Sequence, residues 1–109
     1  AGTEDAKQLL DEALAIQQQY YGGYSPEAGR TLHILGNAYH DQRNLAKAID
    51  SMTLAIKILE RNFGAEHREL AKVYNDISCV YLDRGTLPVA RESSEKALKI
   101  FEKTFHCFQ

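Results

Sequence analysis

The sequence has no tryptophan, one methionine, two cysteines and two prolines in 109 residues. Cys79 and Cys107 are too few for a disulfide framework, and neither stands in a C-x-x-C pair. Free thiols suit a reducing compartment, so a cytoplasmic location is expected. Prolines occur only at Pro26 and Pro88, both where a helix could begin, which leaves long helices uninterrupted. No apolar run approaches the roughly 18 residues of a membrane span, and the polar stretch AGTEDAKQ lacks the character of a signal peptide. A membrane partner is therefore not expected. Charge of one sign is missing too: 13 Lys and Arg stand against 15 Asp and Glu, for a net charge of −2. The cations are scattered among the acids as on solvated helix faces, which gives no footing for nucleic acid. A hydrophobic content of 44% and a charged content of 26% fit one small globular domain.

What the sequence does contain is a repeated spacing. Residues 35–49 read LGNAYHDQRNLAKAI, and residues 77–91 read ISCVYLDRGTLPVAR. Tyr39 and Tyr81, Asp41 and Asp83, Leu45 and Leu87, and Ala48 and Ala90 all stand 42 apart. Extending the offset, Ala28, Leu32, Leu35 and Tyr39 fall on Leu70, Tyr74, Ile77 and Tyr81, in steps of four, three and four. Those steps make one apolar stripe on a helix. Then Leu45, Ala48, Met52, Ala55, Ile56, Leu59 and Phe63 fall on Leu87, Ala90, Ser94, Ala97, Leu98, Phe101 and Phe105, a second amphipathic helix. Backwards, Ala6, Leu10, Ala13, Leu14 and Tyr21 match Ala48, Met52, Ala55, Ile56 and Phe63.

The joints repeat as well. Between the paired helices lie RN at 43–44 and GT at 85–86, where Gly85 suits a left-handed C-cap and Asn44 can tolerate or cap such a site. YGGYSPE at 21–27 aligns with FGAEHRE at 63–69. Gly22 and Gly64 can end a helix, and Ser25 with Pro26 can start one. Small residues at Gly36, Ser78, Ala48, Ala90, Ala55 and Ala97 allow close helix approach, with tyrosines filling the wider gaps. The expected fold is all-α: five antiparallel helices, a half repeat at 4–21 followed by whole repeats at 27–63 and 69–105, in one domain over 1–109. An unpartnered first helix, and Leu98, Phe101, Phe105 and Phe108 with no following helix, suggest a piece of a longer array.

These residues resemble the tetratricopeptide repeat, which carries a large apolar residue, Leu-Gly and Tyr on its first helix and Ala, aromatic, Ala on its second. The matching positions are Leu32, Leu35, Gly36, Tyr39, Ala48, Met52 and Ala55, then Tyr74, Ile77, Ser78, Tyr81, Ala90, Ser94 and Ala97. Met52 and Ser94 replace the usual aromatic. The family's usual period is about 34 residues; the 42-residue unit, with ALAI or AIKI, a glycine turn and then SPE or HRE, is similar to the kinesin light chain type. The resemblance implies a right-handed α-solenoid whose first-type helices line a concave groove that holds extended peptides.

In that groove the resemblance places Arg30, His33, Asn37 and His40, a ridge stepping by three, four and three, and opposite them Lys72, Asn75 and Cys79. Lys, Arg and Asn are the donors such grooves use on carboxylates and peptide amides. The carboxylate clamp of chaperone-binding relatives is not reproduced, because His33 and Asp76 stand where donors are expected. The expected partner is therefore an unstructured acidic segment of another protein, in a scaffold or adaptor role. The alternative is a spacer or dimerisation segment, with self-association through the C-terminal helix. His33 and His40 lack a third strong ligand at matching spacing, so no metal is expected. His106 and Cys107 are adjacent and diverge on a helix, so they make no nucleophile–base pair. Gly22-Gly23 follows no strand and forms no phosphate loop. No enzyme activity and no cofactor are expected.

Overall fold

A computed structural model of the chain describes residues 2–21 and 24–106, with side chains described for 5–15 and 24–104. It contains five α-helices: α1 (Gly2–Tyr21), α2 (Pro26–Asp41), α3 (Leu45–Phe63), α4 (Arg68–Arg84) and α5 (Leu87–His106). No strand occurs among the described residues. The glycine expected to end α1, Gly22, and the C-terminal Cys107 and Phe108 lie outside the described residues, as does the side chain of Phe105.

Each helix boundary has a local cause. Ser25 caps α2 by accepting a hydrogen bond from the Ala28 amide at 3.1 Å, with Pro26 in the first turn. At the equivalent joint His67 does this work, its Nδ1 accepting from the Glu69 amide at 3.1 Å. Asn44 caps α3, its side chain accepting from the Lys47 amide at 3.3 Å. The two intra-repeat turns close alike: the Asn44 amide reaches the Tyr39 carbonyl and the Thr86 amide the Tyr81 carbonyl, both at 2.9 Å. This six-to-one bond needs a left-handed residue just before it. Gly85 supplies it at φ 87°, and 42 residues earlier Arg43 supplies it at φ 65°. The left-handed residue of the first turn is thus Arg43, while Asn44 acts as the cap.

That difference yields a stability prediction. A side chain in this region costs about 1–2 kcal/mol, so Gly85→Ala should destabilise by about 1 kcal/mol in denaturant melts. Arg43→Gly should be neutral or stabilising, since the strain it relieves outweighs a solvent-screened, exposed ion pair with Asp83.

Packing follows the repeat. α2 lies against α3, α3 against α4, and α4 against α5; among the described residues α1 packs on α2 alone and α5 on α4 alone. The largest fully buried side chains are Met52, Ile58, Leu59, Leu70, Val73 and Val80. Leu32, Leu35, Tyr39 and Ile77 complete the core, with Leu10 and Leu14 of α1 packed at its edge. At Gly36 α2 packs tightly on α3: a Cβ there would stand 2.6 Å from Met52 Cγ.

The fifth helix departs from the stripe read in the sequence. α3 is covered on two sides, so Met52, Ala55 and Leu59 are all buried. On α5 Ser94 and Phe101, the equivalents of Met52 and Leu59, are exposed, Phe101 by 37%. Leu98, in the place of the half-buried Ile56, is exposed by 57%, while Ala90, Ser93, Ala97 and Ile100 are buried. A helix with one neighbour buries one face, and the face that points at α4 is the one through Ser93 and Ile100. Tyr81 is only half-buried, unlike its counterpart Tyr39. Tyr81→Ala should therefore cost clearly less than a full core truncation, about 1–2 kcal/mol.

Candidate functional site

α2 and α4 are equivalent helices one repeat apart, and they touch directly along one side. With a 42-residue period, a residue on α2 faces positions about 42 further on. Glu69, Asp76 and Asp83 step by seven along α4 and so share one face, opposite His33 and His40, which also step by seven on α2. The result is a ladder of polar contacts. Arg30 Nε donates to Glu69 Oε1 at 2.9 Å. His33 Nε2 lies 2.6 Å from Asp76 Oδ2, and Asn37 Nδ2 donates to the same oxygen at 3.2 Å. His40 Nε2 lies 2.6 Å from Asp83 Oδ2, which also accepts from Arg43 at 3.0 Å.

The electrostatics follow these contacts. The hydrogen bond from His33 holds the Asp76 carboxyl below the usual carboxylate range, helped by Asn37 and opposed by partial burial. The bonds from His40 and then Arg43 lower Asp83 likewise. A carboxylate lowered in the folded state stabilises the fold above its unfolded value of about 3.9, and that stabilisation is lost as pH falls through the folded value. Thermal melts should therefore lose stability below about pH 4. In Asp76→Asn that acid-side loss should be shallower, and a variant with an unchanged acid limb would count against the Asp76 contacts.

At the lower end of the ladder sits a cleft of about 240 Å³, lined by Arg30, His33, Ile34, Leu59, Glu69 and Lys72. The Arg30 guanidinium lies 5.6 Å from the Phe63 ring centroid, and that ring stacks on His67 at 4.3 Å. Glu69 Oε2 is buried with no hydrogen-bond partner among the described residues. Ile34 is 54% exposed and Leu82 58%, so the same side also offers apolar contact.

The seven residues expected in a groove lie on α2 and α4 in two different conditions. Arg30, His33, Asn37 and His40 already hold carboxylates of α4. Lys72, Asn75 and Cys79 are exposed, and Lys72 makes no ion pair among the described residues. Cys79 is a free thiol. Sequence reasoning set Asp76 at a clamp position without pairing it to the ridge, and paired none of Arg43, Glu69 and Asp83 across the two helices. The signal was present in the heptad spacing of the acids one repeat beyond the heptad-spaced histidines. Among the described residues no group of three or more His, Cys, Asp or Glu could hold a metal ion, and no helix is long and apolar enough to cross a membrane.

A tetratricopeptide-repeat family model matches the sequence twice, over residues 3–61 and 35–103. The chain belongs to the tetratricopeptide-repeat family. Among solved structures, its fold is similar to BtubC (BKLC) from P. vanneervenii, with a TM-score of 0.88 and 21% identity over 93% of this chain and 40% of that one. It is also similar to a candidate kinesin light chain with nearly identical TPR-like repeats from Podosopora anserina, with a TM-score of 0.84 and 22% identity over 94% of this chain and 48% of that one. A Q17M form of the latter matches equally. The chain thus spans less than half the length of each. No curated protein matches the sequence. In fold this is an all-α tetratricopeptide-repeat protein, similar to the solved kinesin light chain-like repeat structures. Tetratricopeptide repeats are generally protein–protein interaction modules and typically non-enzymatic scaffolds.

Proposed function

We propose that this tetratricopeptide-repeat chain holds an extended segment of a partner protein along the α2–α4 side, in a scaffold or adaptor role in the cytoplasm. The observation that carries the reading is the cleft beside Lys72. There Lys72, which makes no ion pair among the described residues, the bonded Arg30–Glu69 couple and the exposed Ile34 converge on one opening. An acidic side chain of the partner meets Lys72 directly, or exchanges with Glu69 for the Arg30 guanidinium. An aliphatic or aromatic anchor rests on Ile34 and the stems of Arg30 and Lys72. A backbone amide of the segment is one donor that would satisfy Glu69 Oε2. The reading takes residues 1–109 as one repeat domain, divided at 4–21, 27–63 and 69–105, within a longer array.

Because most donors on this side are already engaged, binding is an exchange of carboxylates, and its net strength is modest. An unstructured segment also loses entropy on ordering, so affinity on the order of micromolar or weaker is expected. Lys72→Ala should weaken an acidic peptide about fivefold, with an unchanged melting temperature. Arg30→Ala should weaken it while also loosening the α2–α4 contact. Calorimetric titration of both variants tests this, and an unaltered affinity in Lys72→Ala would remove Lys72 from the site.

A second reading, in which the chain spaces or dimerises larger parts, draws support from one observation. Leu98 and Phe101 leave an apolar strip on α5 without a neighbour among the described residues. Self-association through α5 should then appear in sedimentation at high micromolar concentration and vanish in Phe101→Asp.

A further inference from the structure

A second cleft, of about 440 Å³, opens away from the α2–α4 side, between α5 and the loop that joins α3 to α4. Its lining is mainly apolar, with Tyr74 of α4 and the nearly buried Ile100 of α5. Its rim carries Lys96, Lys99 and Lys103, against Glu66 of the loop and Glu102. Glu66 is matched by an ion pair with Lys103, and Lys96 is shared between Glu92 at 3.5 Å and the Tyr74 ring, 5.4 Å from its centroid. Lys99 makes no ion pair among the described residues.

The chain itself shows what suits this place. One repeat earlier the loop position of Glu66 is Tyr24, and the helix position of Lys103 is Arg61. There the tyrosine ring lies 4.9 Å from the Arg61 guanidinium, and its carbonyl accepts from Asn62 Nδ2 at 2.7 Å. The loop thus lays an aromatic ring on the cationic flank of its helix in the first repeat. In the second repeat the ring is replaced by a carboxylate and the flank stands open. An aromatic side chain gains apolar burial against Tyr74 and Ile100 and a cation–π contact with the lysine rim. Carboxylates beside it meet Lys99 and Lys96.

We infer that this cleft docks a partner-protein segment that carries one aromatic side chain flanked by acidic residues. The site uses none of the residues of the α2–α4 side, so the two readings stand or fall separately. The test is an amide chemical-shift titration of the whole chain with the probe peptides acetyl-Glu-Tyr-Glu-amide and acetyl-Gln-Tyr-Gln-amide, and with decanoate. Shifts should centre on residues 65–67, 74 and 96–103, with the acidic probe about threefold tighter than the neutral one, as exposed lysines allow. Lys99→Glu should abolish that preference. Glu66→Tyr, which gives the second repeat the ring the first has, should weaken both peptides at least about fivefold. Shifts confined to residues 30–41 and 72–76, or affinities unchanged in both variants, would overturn the assignment. Decanoate binding as tightly as the acidic peptide, with the same shifts, would also overturn it, in favour of a small anionic amphiphile.

Discussion

Replacing Tyr39 with alanine is expected to remove about 3–5 kcal/mol of stability, the range for large-to-small changes in a core. Tyr39 is 8% exposed and sits in the central cluster with Leu35, Ala48 and Met52. The ring also lies under two ammonium groups, Lys7 at 5.4 Å and Lys47 at 5.6 Å from its centroid. Lys7 comes from α1, so the tyrosine joins three consecutive helices, and its loss should release α1 as well as open a cavity. Domains of this size have only about 5–15 kcal/mol in all. The variant should therefore melt at least about 15 °C below the parent by circular dichroism. Tyr39→Phe should stay within about 1 kcal/mol, because the ring does the packing. A Tyr39→Ala melt that overlays the parent would mean that α1, α2 and α3 do not meet at this residue.

The second large effect is expected at Gly36, from crowding instead of loss. A Cβ at Gly36 would stand 2.6 Å from Met52 Cγ, 3.2 Å from its Cε and 3.3 Å from the Ala48 carbonyl oxygen. Contacts under 3 Å force something to move. The methionine can swing, but the Ala48 backbone cannot without shifting α3. Gly36→Ala should thus cost about 1 kcal/mol and Gly36→Leu about 3 kcal/mol. The two effects can be separated by a double-mutant cycle. In a Met52→Ala background the first atom in the way is gone, so Gly36→Ala should become cheaper by roughly 1 kcal/mol. Equal costs in both backgrounds would show that Met52 is not what glycine accommodates.

The architecture was legible because a repeat states its spacing twice. Leu32, Leu35 and Tyr39 mark a helix face on their own, and their match to Tyr74, Ile77 and Tyr81 fixes the period. Boundaries at Ser25, Pro26, Gly64 and Gly85 were readable from cap chemistry, since those residues have few other uses. The offset misled where the environment changes along the array. Ser94, Leu98 and Phe101 align with Met52, Ile56 and Leu59, yet burial depends on having a helix on each side, and among the described residues α5 has one. Alignment carries over which residue stands at a position, and the neighbours decide whether it is covered. Arg43 in a left-handed turn was invisible for a related reason: nothing in an arginine advertises positive φ, and only its equivalence to Gly85 could have pointed there.

The candidate site was legible in its residues and opaque in its state. Arg30, His33, Asn37 and His40 stood out as a ridge by their spacing alone. That they bind Glu69, Asp76 and Asp83 of the same chain depends on the angle and distance between α2 and α4, which no single helix pattern contains. The consequence is functional. Under the proposed function, Lys72, which stands outside the ladder, becomes the residue to watch, and an acidic ligand would act by replacing carboxylates the protein already holds.

That account is tested most directly by titrating the labelled chain with an acidic, single-anchor peptide while following amide shifts across all five helices. The account predicts shifts along residues 30–41 and 72–83, weakened in Lys72→Ala and reduced by salt as screened charges require. Silence at residues 30–41 and at Lys72, Asn75 and Cys79, wherever else shifts appear, would contradict it.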